Sequence, residues 1–236
     1  MDAAQWQSWD ARDDGQQLWS AMKTTASRFD AVIFDCDGTL VDSEPLGLAA
    51  IAQEALALGV EPVHLADLDT MKGQSMATTL ATIAQRWGRE LPADFETTVR
   101  ATMAESFKTQ LQPMPGALAL LQRLTVPYCV ATNGPRAKTE LTLSVTGLLP
   151  LLQGRIFSAY EIGAFKPNPA LFLHAARAIG VAPERCVVVE DSMFGMRAGL
   201  AAGMRVCALG SPELLPAELQ AQVRHLAALE ELLDEL

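Results

Sequence analysis

The stretch "DAVIFDCDGTLVDSEP", residues 30–45, opens with a short apolar run and closes on acids. Ala31 to Phe34 is fully apolar, which suits a central parallel strand covered on both faces. The run ends in Asp35 and Asp37, two carboxylates one residue apart. Neighbouring anions repel, and burial penalises each charge, so this ending requires a neutraliser. The two-residue strand period puts Asp35 and Asp37 on one side and Cys36 on the other.

Downstream the pattern turns helical. Ser43 is a plausible N-cap with Pro45 in the first turn, Leu46 to Leu58 is rich in Ala and Leu, and Gly59 can stop the helix. Ser75 opens a second helical pattern that Gly88 closes, and a third runs from about Pro92 to Gln110. From Pro113 the rhythm alternates. The strands "PYCVAT", "RIFSAY", "RCVVVED", "RVCALG" and "QVRHLA" are separated by helical segments, and "LEELLDEL" reads as a final helix. Strands and helices alternating at this length imply right-handed βαβ units around a parallel sheet. The expected fold is α/β, a Rossmann-like parallel sheet core whose first strand is separated from the rest by an inserted helical domain. The expected division is an N-terminal extension (1–28), a core (29–43 and 113–236) and a helical cap (44–112). Residues 1–28 are polar and carry Trp6, Trp9 and Trp19, compatible with either a docked helix or a tail.

Ligands of such sheets bind beyond the C-terminal strand ends. Those ends carry Asp35-Cys36-Asp37-Gly38, then Thr132-Asn133-Gly134, then Glu190-Asp191-Ser192, and Lys166 lies in the loop "FKPNP". Asp35 and Asp37, joined by Asp191 and Glu190, make an oxygen-rich pocket suited to a hard divalent cation, most simply Mg2+. Lys166 adds a point charge, Thr132 and Asn133 add neutral donors, and the turn at Gly134 offers helix N-terminal N–H groups to an anion. Anion acceptors, a cation and a carboxylate nucleophile together describe phosphoryl transfer.

Composition narrows the partners. The chain has 236 residues, half of them apolar and 19% charged, so a sizeable core is expected and wholesale disorder is not. A net charge of −10 argues against nucleic acid or an anionic membrane as the main partner, and an anionic substrate needs a local positive site. Cysteines at 36, 129, 186 and 207 lie far apart, as buried free thiols in a reducing compartment would. The N-terminus has no hydrophobic core region and carries Asp2, Asp10, Asp13 and Asp14, unlike a signal or transit peptide. A cytoplasmic monomer or homodimer acting on a small-molecule phosphate ester is the expectation.

"DCDGTLVDSE", "TNG", "KPNP" and "VVEDSMFGMRAGLAAGM" resemble the four ordered motifs of the haloacid dehalogenase superfamily of phosphohydrolases, over roughly residues 29–210. More narrowly, the chain resembles the subfamily with a helical cap after the first strand, which includes β-phosphoglucomutase and sugar-phosphate phosphatases. The resemblance implies Asp35 as nucleophile, forming an aspartyl-phosphate, and Asp37 as acid and then base. It implies that Asp37 starts protonated, a state the adjacent anions favour, and lends its backbone carbonyl to the metal. Thr132 and Asn133 would hold the phosphoryl group, Lys166 would offset its charge, and Asp191 would ligate the metal with Glu190 nearby. Asp37 favours phosphate-ester chemistry over dehalogenation, because a leaving oxygen needs an acid. The mutases carry a histidine where this chain has Gly47 and a cap arginine where it has Met76, so hydrolysis is expected over mutase chemistry. "MKGQS" could face the site through Lys72 and Gln74, and "YEIGAFKPNP" resembles phosphatases of sugar-acid phosphates such as 6-phosphogluconate. A catalytically idle binding protein on the same fold is the non-enzyme alternative. His64, His174 and His225 have no metal-ligand spacing and read as structural. Gly195 and Gly199 read as allowing close helix–sheet packing.

Overall fold

The computed structural model describes residues 29–71 and 74–236. Strand β1 (Ala31–Phe34) is buried along its whole length, as its four apolar residues require. It lies between β2 (Tyr128–Thr132) and β4 (Cys186–Glu190), with Ile33 in register with both Cys129 and Val188. With β3 (Ile156–Ser158), β5 (Arg205–Leu209) and β6 (Arg224–Leu226) the sheet has the order β3-β2-β1-β4-β5-β6, and every pairing is parallel. The order reverses direction at β1, so a crevice opens between the ends of β1 and β4.

Alternation along the strands divides the core into two layers. Val32, Phe34 and Cys36 face a cluster with Leu120, Leu143 and Leu232, whereas Ala31 and Ile33 face one with Leu171, Phe172 and Met196. Asp35 therefore sits on the opposite side from Cys36, as the period-two reading requires. Helices α4 (Ala117–Arg123) and α5 (Arg136–Val145) supply the first layer. Helices α8 (Ala170–Ala178) and α9 (Met193–Ala201) supply the second. Gly199 of α9 permits close approach: a Cβ there would lie 2.8 Å from Val206 Cγ2.

Between β1 and α4 the chain forms a helical unit with its own core. Helices α1 (Glu44–Ala57), α2 (Met76–Trp87) and α3 (Phe95–Gln110) bury Ile51, Ile83 and Val99 together. Ser75 caps α2 by accepting from Thr78 N, and Gly88 ends it in the left-handed region. Helix α3 is also tied to the sheet, because Phe107 belongs to the first core layer.

Local chemistry departs from the sequence reading in three places. "RIFSAY" is a strand only to Ser158. Ser158 Oγ accepts from Tyr160 N and starts a short helix, α7 (Ala159–Ile162). "LEELLDEL" forms a 3-10 helix over Leu229–Asp234 rather than an α-helix. Ser43 occupies the N-cap position of α1, but its hydroxyl makes no capping bond, being drawn to Asp37 instead. The four cysteines are free and buried, and among the described residues no helix is long and apolar enough to cross a membrane.

Phe172 is fully buried under the sheet. Truncation to Ala is expected to cost about 3–5 kcal/mol of stability, read as a lowered urea midpoint at unchanged slope.

Candidate active site

The strand ends converge as the spacing requires. Asp35, at the end of β1, is 7% exposed, and Glu190, at the end of β4, is fully buried. Lys166 reaches between them from the loop before α8, its Nζ donating to Asp35 Oδ1 at 2.5 Å and to Glu190 Oε1 at 2.6 Å. Its ammonium also lies 4.8 Å from the centre of the Phe172 ring.

Each member of this group is itself held. Glu190 Oε2 accepts from the backbone N and the hydroxyl of Ser192, both at 2.9 Å. Gly195 leaves room for that carboxylate, since a Cβ there would fall 1.6 Å from Glu190 Oε1. The Lys166 backbone N donates to Asn133 Oδ1 at 2.9 Å, so Asn133 fixes the lysine loop. Thr132 Oγ1 accepts from Gly134 N at 3.0 Å, which takes up the N–H expected to face an anion. Asp191 accepts from Thr39 Oγ1 at 3.0 Å. Gly38 adopts a φ of +76°, and a Cβ at that position would meet Asp191 Oδ2 at 2.1 Å.

Asp37 has different company. Lys138, on the first turn of α5, and Ser43 both donate to Asp37 Oδ1. Burial opposes the Asp37 charge, but the Lys138 ammonium and these hydrogen bonds outweigh it and hold the carboxyl below its usual range. This direction runs against the expectation that neighbouring anions keep Asp37 protonated, because Lys138 and Ser43 engage its carboxylate. Lys138 is absent from the sequence expectation. The available signal was its place in the first turn after the strand end bearing Thr132. Ser43, Thr39 and Ser192 escaped notice as site residues because their partners are set by tertiary folding.

Burial pushes Asp35 up to about 7, Lys166 pulls against this, and Glu190 and Asp37 add to it. Burial and the neighbouring Glu190 and Asp35 likewise raise Asp191 well above the carboxylate range. Lys166 is raised despite burial, because two carboxylates share its charge. Four carboxylates (Asp35, Asp37, Glu190, Asp191) thus face two ammonium groups, Lys138 and Lys166, and a divalent cation would cancel the difference. Ligand oxygens of Asp35, Glu190 and Asp191 lie within 4.8 Å of one another, a cluster able to hold such an ion. The Asp37 carboxylate is outside that cluster, engaged by Lys138.

A cleft of about 140 Å³, open to solvent, joins this group to the helical unit. Gln74 lines it, as do Thr132, Asn133 and Gly134, whereas Lys72 lies outside the described residues. Arg100 of α3 and Tyr160 of α7, neither of them evident from the sequence, line it too.

The haloacid dehalogenase-like hydrolase family matches residues 29–203. Among curated proteins, the chain is 36% identical over 181 residues to 6-phosphogluconate phosphatase of Escherichia coli strain K12, covering 76% of this chain and 82% of that one. It is 33% identical to hexitol phosphatase A of the same organism, over 78% of this chain and 84% of the relative. A solved haloacid dehalogenase family hydrolase from Deinococcus radiodurans R1, with bound phosphate and sodium, superposes with a TM-score of 0.68 at 32% identity. That superposition covers 87% of this chain and 94% of the other. The chain belongs to the haloacid dehalogenase-like hydrolases, with a helical cap inserted into the α/β core. Within that family it is an enzyme of the phosphatase type.

Two outcomes follow from the charge pattern. Gly195→Ala forces Glu190 aside, and phosphatase activity is expected to fall on the order of 10–100-fold through misplacement of Lys166, while far-UV circular dichroism stays native. Asp35 has a folded pKa of about 7 against 3.8 when unperturbed, so its proton stabilises the metal-free fold at low pH. That contribution is lost as pH rises from about 4 to about 7. The rise in Tm on adding Mg2+ should accordingly be several degrees larger at pH 7.5 than at pH 5, measured by scanning calorimetry.

Proposed function

We propose that the chain is a Mg2+-dependent phosphatase of small phosphorylated metabolites, sugar or sugar-acid phosphates, working through an aspartyl-phosphate on Asp35. The observation that carries this reading is the buried Lys166 held between Asp35 and Glu190 at the mouth of the β1–β4 crevice. It fixes a carboxylate oxygen and a cation where a phosphoryl group would enter. The phosphatase names of the relatives support the substrate class.

Asp35 Oδ attacks phosphorus, and the bond from phosphorus to the leaving oxygen breaks. Asp37 delivers a proton to that oxygen, then accepts one from the water that attacks the acyl-phosphate, releasing phosphate and restoring Asp35. The ion pair with Lys138 favours the ionised Asp37, so a proton carried in by the substrate would serve the first transfer. A phosphate monoester can bring it, its second ionisation lying at about pH 6. Thr132 and Asn133 border the phosphoryl site, with Asn133 also fixing the Lys166 loop. A divalent ion held by Asp35, Asp191 and the Asp37 backbone carbonyl would supply charge neutralisation for the phosphoryl oxygens. Glu190 stands beside these ligands, and its own oxygens orient Lys166 and meet Ser192. The cap closes over the leaving group and excludes bulk water. Gln74, which lines the cleft, would meet that leaving group, and the sequence reading adds Lys72.

The test is a screen of phosphorylated metabolites read as inorganic phosphate release. Release should require Mg2+, disappear with EDTA and need no bisphosphate primer. Asp35→Asn is expected to lower turnover by at least about 10³-fold with an unchanged circular dichroism spectrum. Isomerised sugar phosphate without released phosphate would refute hydrolysis, and activity persisting in Asp35→Asn would refute the mechanism.

A further inference from the structure

We infer that Arg100 is the specificity residue for the far end of the substrate, and that it reads a carboxylate on the leaving group. This rests on the phosphatase reading and narrows its substrate class. Arg100 projects from cap helix α3 into the cleft that Asp35 and Lys166 also line. Its Nε and Nη2 donate to Glu96 Oε1 at 2.9 and 2.7 Å, and Nη2 also donates to the Tyr160 hydroxyl at 2.9 Å. The guanidinium lies 5.8 Å from the centre of the Tyr160 ring. Its plane is therefore fixed from both sides of the seam, by the cap through Glu96 and by the core through Tyr160. Nη1 makes no hydrogen bond among the described residues, which leaves donors for a ligand.

Among the described residues, no other uncommitted cation lines that end of the cleft. Among the described residues lining the cleft, the other two cations are Lys166 and Lys138, both committed to carboxylates at the strand ends. The remaining cap wall is largely apolar, with Leu48, Ile51, Met76 and Met103. Among the described residues, an anionic leaving group in a chain of net charge −10 thus meets its positive site at Arg100.

The chemistry selects the anion. With Nε and Nη2 committed, the two Nη1 hydrogens remain as charge-assisted donors that a carboxylate can accept. Glu96 already pairs with Arg100, so the guanidinium has donors left for one anionic group of carboxylate size. Tyr160 packs edge-on against Phe165, ring centres 5.0 Å apart, and Phe165 directly precedes Lys166. Arg100 is therefore registered against the same loop that carries the phosphate-end lysine, which fixes the span between the two anionic ends of a substrate.

The test uses calorimetric binding to Asp35→Asn protein with Mg2+, so that affinity is read without turnover. The ligands are 6-phosphogluconate and glucitol 6-phosphate, which differ only in a carboxylate against a hydroxymethyl group at C1. The carboxylate ligand is expected to bind at least about 10-fold tighter. Arg100→Met should bring the ratio near one, and Arg100→Lys should leave it intermediate because the charge remains without the guanidinium plane that Glu96 and Tyr160 orient. Equal affinities, a preference that survives Arg100→Met, or binding of neither ligand would overturn the assignment. Wild-type phosphate release is read separately. A carboxylate preference that depends on Arg100 without release from either ester would sustain the assignment and overturn the phosphatase reading.

Discussion

The burial of one ammonium group between two carboxylates organises this molecule. Lys166 can occupy the end of the sheet only because Asp35 and Glu190 meet it there at 2.5 and 2.6 Å. Neither carboxylate could be so deeply buried without it, since an unpaired buried charge is strongly destabilising. Their meeting requires β1 and β4 to be neighbours in register, although 155 positions separate Asp35 from Glu190 in the sequence. The surrounding parts serve this pairing: Ser192 and Gly195 place Glu190, Asn133 holds the lysine backbone, and Phe172 lies beneath the ammonium.

One cation does not balance the acids, and Lys138 divides them into two groups. Asp37 is held ionised by Lys138, whereas burial and mutual repulsion raise Asp35 and Asp191. Two carboxylates that are adjacent in sequence pattern thus differ in proton affinity because they face different partners. A cation seated among Asp35, Glu190 and Asp191 would lower Asp35 in turn, because an opposite charge favours the carboxylate. Lys138 also lies 5.7 Å from the Phe107 ring of α3, so the residue that tunes Asp37 touches the element that carries Arg100.

The cap meets the core through polar as well as apolar contacts. Phe107 anchors the end of α3 in the core, and Arg100, further toward the N-terminus of the helix, bonds to Tyr160. Tyr160 became available for this because Ser158 stops β3 early and turns the chain into α7. Reading "RIFSAY" as six strand residues concealed that contact. Apolar content describes the run well, but a serine able to accept from the N–H two residues on can end a strand that hydrophobicity alone would continue.

The sequence by itself determined the parallel sheet, the helical insertion and the convergence of Asp35, Asp37, Asp191, Glu190 and Lys166. Each of these follows from local rules: an apolar run must be buried, strands joined by helices run parallel, and polar residues at strand ends face one crevice. What tertiary structure decided was the partner of each charge. A lysine three residues into a helix gives no local sign that it will meet Asp37, and Ser43 reads as a cap until Asp37 takes its hydroxyl. Arg100 stands four residues after Glu96 on one helix, and only the seating of the cap brings it to Tyr160. Hydrophobic periodicity is written along the chain, but electrostatic pairing acts through space across residues far apart in sequence, and only the packed fold brings those charges into range.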